Sequence, residues 1–125
     1  MRRYRSGDGF EIWVGRSAMA NDRLCAAGRG HDVWLHARGL PGSHVLVRRD
    51  RNQDIPPATL IDAAHLAAYF SKAKGEPQVD VMHTELRYVK KTKGAPPGQV
   101  GVAKSKTLRV NVEDARMRAL LDTLR

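Results

Sequence analysis

Apolar and polar positions along the chain alternate with period two in several short runs and follow helical spacing in three others. Phe10-Glu11-Ile12-Trp13-Val14 is the first run, with Phe10, Ile12 and Val14 on one face and Glu11 and Trp13 on the other. Ser6-Gly7-Asp8-Gly9 ahead of it is a turn signal, so a hairpin is predicted over residues 4–14, with Trp13 packing in a second layer. Residues 17–27 suit a short helix, capped by Ser17 and stopped by Gly28 or Gly30. Cys25 on it reads as a small buried hydrophobe.

Asp32 to Val47 is the centre of the pattern. It reads as two strands joined at Gly39-Leu40-Pro41-Gly42, which has the glycine and proline of a tight turn. Val33 and Leu35 alternate with Trp34 and His36, so the first pair is expected in the core and the second facing a partner. Ser43 and His44 stand at the lip of the second strand, which places an indole, two imidazoles and a hydroxyl near one end of the pair.

Further on, residues 58–74 carry the clearest helical stripe: Leu60, Ala64, Ala67 and Ser71, flanked by Ile61, Ala63 and Ala68. Pro57 falls near its start, Lys72 and Lys74 in its last turn, and Gly75 after it. His65 in mid-helix reads as satisfied or exposed, not as a ligand. Strands are predicted at 79–83 and 86–91, with Thr84-Glu85 as a tight connection, and at 100–103 and 107–112. A final helix carries Glu113 and Asp114 in its first turn, with Asn111 as its cap. Its stripe of Met117, Leu120, Leu121 and Leu124 must cover the sheet or a partner chain. The pattern predicts α+β: one domain over residues 1–125, a mixed, mostly antiparallel sheet of short strands with about three helices packed on it.

Charge changes the picture. Against 13 Asp and Glu stand 22 Lys and Arg, a formal +9, which points to a polyanionic partner and above all to nucleic acid. Between Arg87 and Arg109 lie Arg87, Lys90, Lys91, Lys93, Lys104, Lys106 and Arg109, with no Asp or Glu among them. Folded as a hairpin, this segment would form a continuous positive ribbon. No apolar run approaches membrane-spanning length and no apolar stretch follows Arg2-Arg3, so no membrane contact and no signal peptide are expected. A single cysteine fits a reducing, cytoplasmic setting.

An ordered series of motifs then points to a family. Asp8-Gly9-Phe10, Val14-Gly15-Arg16, Asn21-Asp22, Trp34-Leu35-His36-Ala37 and Pro41-Gly42-Ser43-His44 resemble the NFACT-R domain. So do Asp62-Ala63-Ala64, Ala67-Ala68-Tyr69-Phe70-Ser71, Lys90-Lys91 and Pro97-Gly98-Gln99-Val100, in the same order from about Ser6 to Val110. The resemblance implies an RNA-binding module, known best as one part of the ribosome quality-control factors that bind stalled large subunits and recruit tRNA. Their glycosylase-like domain, helix-hairpin-helix region and coiled coil have no counterpart in this sequence, so their tail-extending role is not inherited with the module. The resemblance also permits a part in tRNA modification. Cys25 and Ala27 stand where the family commonly has Thr and Lys, and no contact carries over to that edge.

Three functions compete. The first is non-catalytic recognition of tRNA or rRNA, without cofactor or metal. Arg16, Arg38, Arg87, Lys90, Lys91, Lys93, Lys104 and Lys106 would then meet phosphates, and Trp34, His36 or Tyr88 unpaired bases, with Asn21, Asp22, Ser43 and His44 nearby. The second is an RNA-processing or RNA-modifying enzyme, or an accessory subunit of one, using Asp22, His36, Ser43 and His44 as acid, base and nucleophile. It lacks a Gly-x-Ser-x-Gly elbow and a phosphate-cradling loop ending in Lys-Ser/Thr. The third is a protein-interaction module that docks a partner through the apolar stripe of its C-terminal helix, provided that stripe is exposed.

Overall fold

The structure, a computed structural model, describes residues 1–125. The predicted first hairpin forms from β1 (Arg2–Arg5) and β2 (Glu11–Val14), which pair antiparallel with Tyr4 opposite Ile12. Next comes α1 (Ala18–Ala27), where the Ser17 hydroxyl accepts from the Ala20 amide at 3.0 Å and caps the helix as read from the sequence. The central pair is β3 (Val33–Ala37) and β4 (Val45–Val47), in register Trp34 to Leu46. Then follow α2 (Pro57–Tyr69), β5 (Gln78–Glu85), a 3-10 turn (Leu86–Tyr88), β6 (Val89–Lys90), β7 (Gly101–Val102), β8 (Lys106–Asn111) and α3 (Asp114–Leu121). Six strands form one antiparallel sheet in the order β1-β2-β4-β3-β5-β8, and β6 pairs with β7 apart from it. This is the expected α+β domain of short strands with three helices.

Both faces of the sheet are covered. On one, Ile12, Val14, Leu35, Val45, Val47 and Val81 meet the alanines of α2 and Leu120 of α3 in a single cluster. Ala63, Ala64, Ala67 and Ala68 are buried, so small side chains let α2 lie close to the strands. On the other face Trp13, Trp34 and Leu46 pack with Leu24 of α1 and with Leu86. The alternation at 33–36 is therefore as read, but Trp34 does not face a partner. Only 2% exposed, it is core of the second layer, because α1 closes over it.

Other expectations need correction too. The second long helix ends at Tyr69, so Lys72 and Lys74 lie beyond it and not in its last turn. The chain there leaves helical geometry to pair with the turn after β3: Ser43 N–H donates to the Phe70 carbonyl at 2.9 Å and Lys72 N–H to the Pro41 carbonyl at 3.0 Å. Gly42 permits this approach, since a Cβ at that position would stand 2.8 Å from Ser71 Cβ. Thr84 and Glu85 belong to β5, which runs unbroken to Glu85 because Val33 and Trp34 of β3 pair with both. Asn111 does not cap α3; it ends β8, and its side chain accepts from Gln78 Nε2 at 2.8 Å.

Buried His65 is satisfied twice. Its Nε2 accepts the Glu113 N–H at 3.0 Å, so the proton sits on Nδ1 and is donated to the Ile61 carbonyl at 2.9 Å. Residue 65 thus fixes where α3 begins. The inner positions of α3, Met117 and Leu120, are buried in the chain's own core, and only Leu124, past the helix end, is well exposed. The exposed stripe on which a docking partner depended is absent.

Candidate nucleic-acid interface

The ends of several elements surround one cleft. The turn 38–44 after β3 supplies Gly42, Ser43 and His44, the start of α1 supplies Arg16 to Ala18, and the end of α2 with the segment after it supplies Tyr69 to Lys72 and Lys74. Arg2 and Tyr4 close one end, and Pro97 and Gly98 another. The cleft measures about 850 Å³ and none of its 21 lining residues is Asp or Glu, while Arg2, Arg16, Lys72 and Lys74 all line it.

The cations are held on aromatic faces. The Arg16 guanidinium lies 4.4 Å from the Phe70 ring centre, and Lys74 Nζ lies 4.2 Å from that of Tyr69. Tyr69 and Phe70 meet edge to face at 4.9 Å. Such a wall offers positive charge and flat apolar surface together, the two properties that a nucleic acid strand uses.

Beneath it is a packed histidine pair. His36 lies parallel to Trp34 at 5.8 Å, and His44 meets both rings edge-on, at 5.2 Å from Trp34 and 5.4 Å from His36. Asn21 anchors this floor: its Oδ1 accepts the His44 N–H at 3.0 Å, and its Nδ2 donates to the Gly42 carbonyl at 3.4 Å. Residue 15 must be glycine for that contact, since a Cβ there would fall 2.2 Å from Asn21 Oδ1. His44 Nδ1 sits 3.4 Å from Cys25 Sγ. Burial, helped by the charge of His36, lowers His44 to about 4, and burial likewise lowers His36. Burial pushes the Cys25 thiol up to about 11. Both imidazoles and the thiol are thus neutral near pH 7, so Cys25 and His44 share a neutral contact and the sulfur is not held as the thiolate that a nucleophile requires.

Asp22 braces the far wall. Its Oδ1 accepts the Gly98 N–H at 2.9 Å and lies 3.4 Å from Lys91 Nζ, and the Gly98 amide, then Lys91, hold the carboxyl below its usual range. Lys91 also donates to the Pro96 carbonyl, so the 96–98 turn is tied to α1 by two residues.

The sequence profile described as the NFACT protein RNA binding domain matches residues 1–104. The chain belongs to that family. It is 42% identical over 98 residues to the Rqc2 homolog RqcH of Bacillus subtilis, covering 78% of this chain and 17% of that protein. With mouse coiled-coil domain-containing protein 25 it shares 28% over 119 residues, 92% of this chain and 57% of the relative. A solved structure, the C-terminal part of the fibronectin/fibrinogen-binding protein of Streptococcus suis, superposes with TM-score 0.88 at 36% identity, over 95% of this chain and 48% of that one. The chain spans only 17% and 22% of the lengths of the first RqcH relatives.

Within this NFACT-R domain the cleft unites Arg16, Asn21, His36, Ser43 and His44 of the residues singled out from sequence. Asp22 stands behind it as a brace, and Trp34 is sealed under α1. The basic segment does not form one ribbon. Its β6–β7 part is separate from β8, which joins the main sheet beside β5. Acids from elsewhere also compensate it: Arg87 pairs with Glu85 at 3.0 Å, Arg109 with Asp80 at 3.0 Å, and Lys91 with Asp22. Lys90, Lys93, Lys104 and Lys106 remain without an ion pair, and Lys104 Nζ lies 4.5 Å from the Tyr88 ring centre. Arg38 projects elsewhere, donating to Thr107 Oγ1 at 2.7 Å. The sequence reading missed Arg2, Tyr69, Phe70, Lys72 and Lys74. The adjacent aromatic pair Tyr69-Phe70 followed closely by Lys72 and Lys74 was the available signal.

The proposed catalytic cluster is not arranged for acid–base chemistry. Ser43 Oγ makes no hydrogen bond to either imidazole, His44 Nδ1 is engaged by Cys25, and Asp22 is committed to Gly98 and Lys91 rather than orienting a histidine. No group of three His, Cys, Asp or Glu is placed to hold a metal ion, and no helix is long and apolar enough to cross a membrane.

Proposed function

We propose that this domain, over residues 1–125, binds structured RNA without catalysis, with tRNA or rRNA in the cleft and a place in ribosome quality control or a tRNA-related pathway. The family's description supports RNA as the ligand, and the RqcH relatives support a setting in ribosome quality control. The observation that carries the reading is a cleft rimmed by Arg2, Arg16, Lys72 and Lys74 and free of carboxylates. These cations meet phosphates; the exposed parts of Tyr69, Phe70 and His36 offer surfaces to unpaired bases. Lys90, Lys93, Lys104 and Lys106 extend the positive field outward and steer the approach of RNA.

The test is a salt titration of folded tRNA binding by Arg16→Gln combined with Lys72→Gln. Losing two phosphate contacts makes the log–log salt slope shallower by about 1.4 to 1.8 and weakens binding roughly 25- to 60-fold at ~0.1 M salt. Lys90→Gln combined with Lys93→Gln has the smaller effect. The reverse ranking removes the cleft as the interface.

A further inference from the structure

The loop between β6 and β7 connects the cleft to the basic hairpin outside it. Its root is fixed by packing: Val89, Val100 and Val102 lie against the second core cluster of Trp13, Leu24, Trp34, Leu46 and Leu86. Its tip is held differently. Ala95 N–H donates to the Thr92 carbonyl at 2.9 Å and Gln99 N–H to the Pro96 carbonyl at 3.2 Å, bonds that shape the loop without attaching it. Attachment falls to Asp22 of α1, which takes the Gly98 N–H and the Lys91 ammonium on one oxygen, Oδ1. Gly98 suits that seat. Its φ of +80° favours glycine, and a Cβ there would stand 3.2 Å from both Ala18 Cα and Ala18 Cβ. Pro97 and Gly98, held in this way, are part of the cleft wall.

Asp22 does two opposed things. The Gly98 amide, then Lys91, keep its carboxyl ionised, and its side chain is 31% exposed beside a cleft with no carboxylate in its lining. A fixed negative charge at this place repels a polyanion and neutralises one lysine of the hairpin. As a charge, Asp22 works against RNA binding. As an acceptor, it decides where the loop stands.

We propose that Asp22 is a positioning residue for RNA binding: by seating Gly98 on α1 it holds the β6–β7 hairpin beside the cleft, so that Lys90 and Lys93 meet the RNA that the cleft holds. This rests on the cleft being the nucleic-acid interface, and it makes the hairpin a second arm in contact with the ligand, beyond a role in steering.

The experiment compares binding of folded tRNA by Asp22→Asn and Asp22→Ala. Both remove the charge and the ion pair with Lys91, so any change in field is common to the two. Only Asp22→Asn keeps an oxygen that can accept the Gly98 N–H. Asp22→Ala therefore binds about two- to twelvefold more weakly than Asp22→Asn, the worth of one hydrogen bond. Adding Lys90→Gln with Lys93→Gln then separates position from stability. It makes the log–log salt slope shallower in the Asp22→Asn background and clearly less so in the Asp22→Ala background, where the hairpin is no longer aligned with the cleft. Gly98→Ala unseats the loop from the other side with the carboxylate in place, and weakens binding relative to wild type. If Asp22→Ala fails to fold, Gly98→Ala carries the comparison against wild type. Equal affinity of the two Asp22 variants overturns the inference, as does an equal change of slope in both backgrounds. Binding untouched by Arg16→Gln combined with Lys72→Gln strikes instead at the underlying cleft reading.

Discussion

Asp32→Ala should cost about 3–5 kcal/mol of folding stability, among the largest effects of any single substitution in the domain. Asp32 is fully buried just before β3. Its Oδ2 accepts the Arg29 N–H at 2.8 Å and its Oδ1 the Arg49 N–H at 3.1 Å, joining the end of α1 to the end of β4. Arg48 Nε stands 2.9 Å from Oδ2 without the alignment of a hydrogen bond, so that contact is an ion pair. The same guanidinium lies 4.0 Å from the Trp13 ring centre, which fixes it over the second core. Truncation leaves two amides and a largely buried cation with no acceptor, and those uncompensated groups set the cost. Urea unfolding reads the change directly. The residue sits at the opposite end of β3 from His36, so the folded fraction should bind RNA normally. A loss below about 1 kcal/mol would show that Arg48 and the amides find other partners.

The second large effect is on pH dependence. His44 is about 4 in the folded protein against an ordinary histidine near 6.5, so the unfolded chain takes up its proton first as pH falls. Stability from this residue is therefore complete above about pH 6.5 and is lost progressively down to about pH 4. By pH 4.5 the loss from His44 alone is roughly 2–3 kcal/mol. The groups facing it set the sign: burial and the charges of His36 and Lys91 disfavour the proton, while Asp22 and the Gly98 backbone favour it less strongly. His36 and His83, both lowered by burial, shift stability the same way. His44→Gln should be less stable than wild type at pH 7.5, and the difference should shrink or vanish at pH 4.5. A constant difference across that range would mean that His44 titrates normally.

Much of the fold could be read from local pattern. The 10–14 alternation, the Ser17 cap and the alanines of α2 concern neighbours in sequence and took the form expected, although the helix stops at Tyr69, before Ser71 of the predicted stripe. What failed were statements about what lies opposite. Period two placed Trp34 and His36 on one face but could not say that α1 closes over that face as far as Trp34 and leaves His36 half-buried at the cleft. The 87–109 segment is acid-free in sequence, yet its neutralising carboxylates come from Asp22, Asp80 and Glu85, which only folding brings near. The cleft escaped for the same reason. Arg2, Arg16, Ser43 and Lys72 belong to four separate stretches, and their meeting depends on Gly42 letting the 70–72 segment approach the turn after β3.

The most direct test of the central claim is photocrosslinking of the domain to folded tRNA, with the crosslinked residues identified by peptide mass spectrometry. The cleft account predicts crosslinks at Arg16, at His36 and across Tyr69, Phe70 and Lys72, competed away by unlabelled tRNA. Crosslinks confined to Lys90, Lys93 and Lys104, with the cleft residues unmarked, would contradict it and return recognition to the basic β6–β7 region.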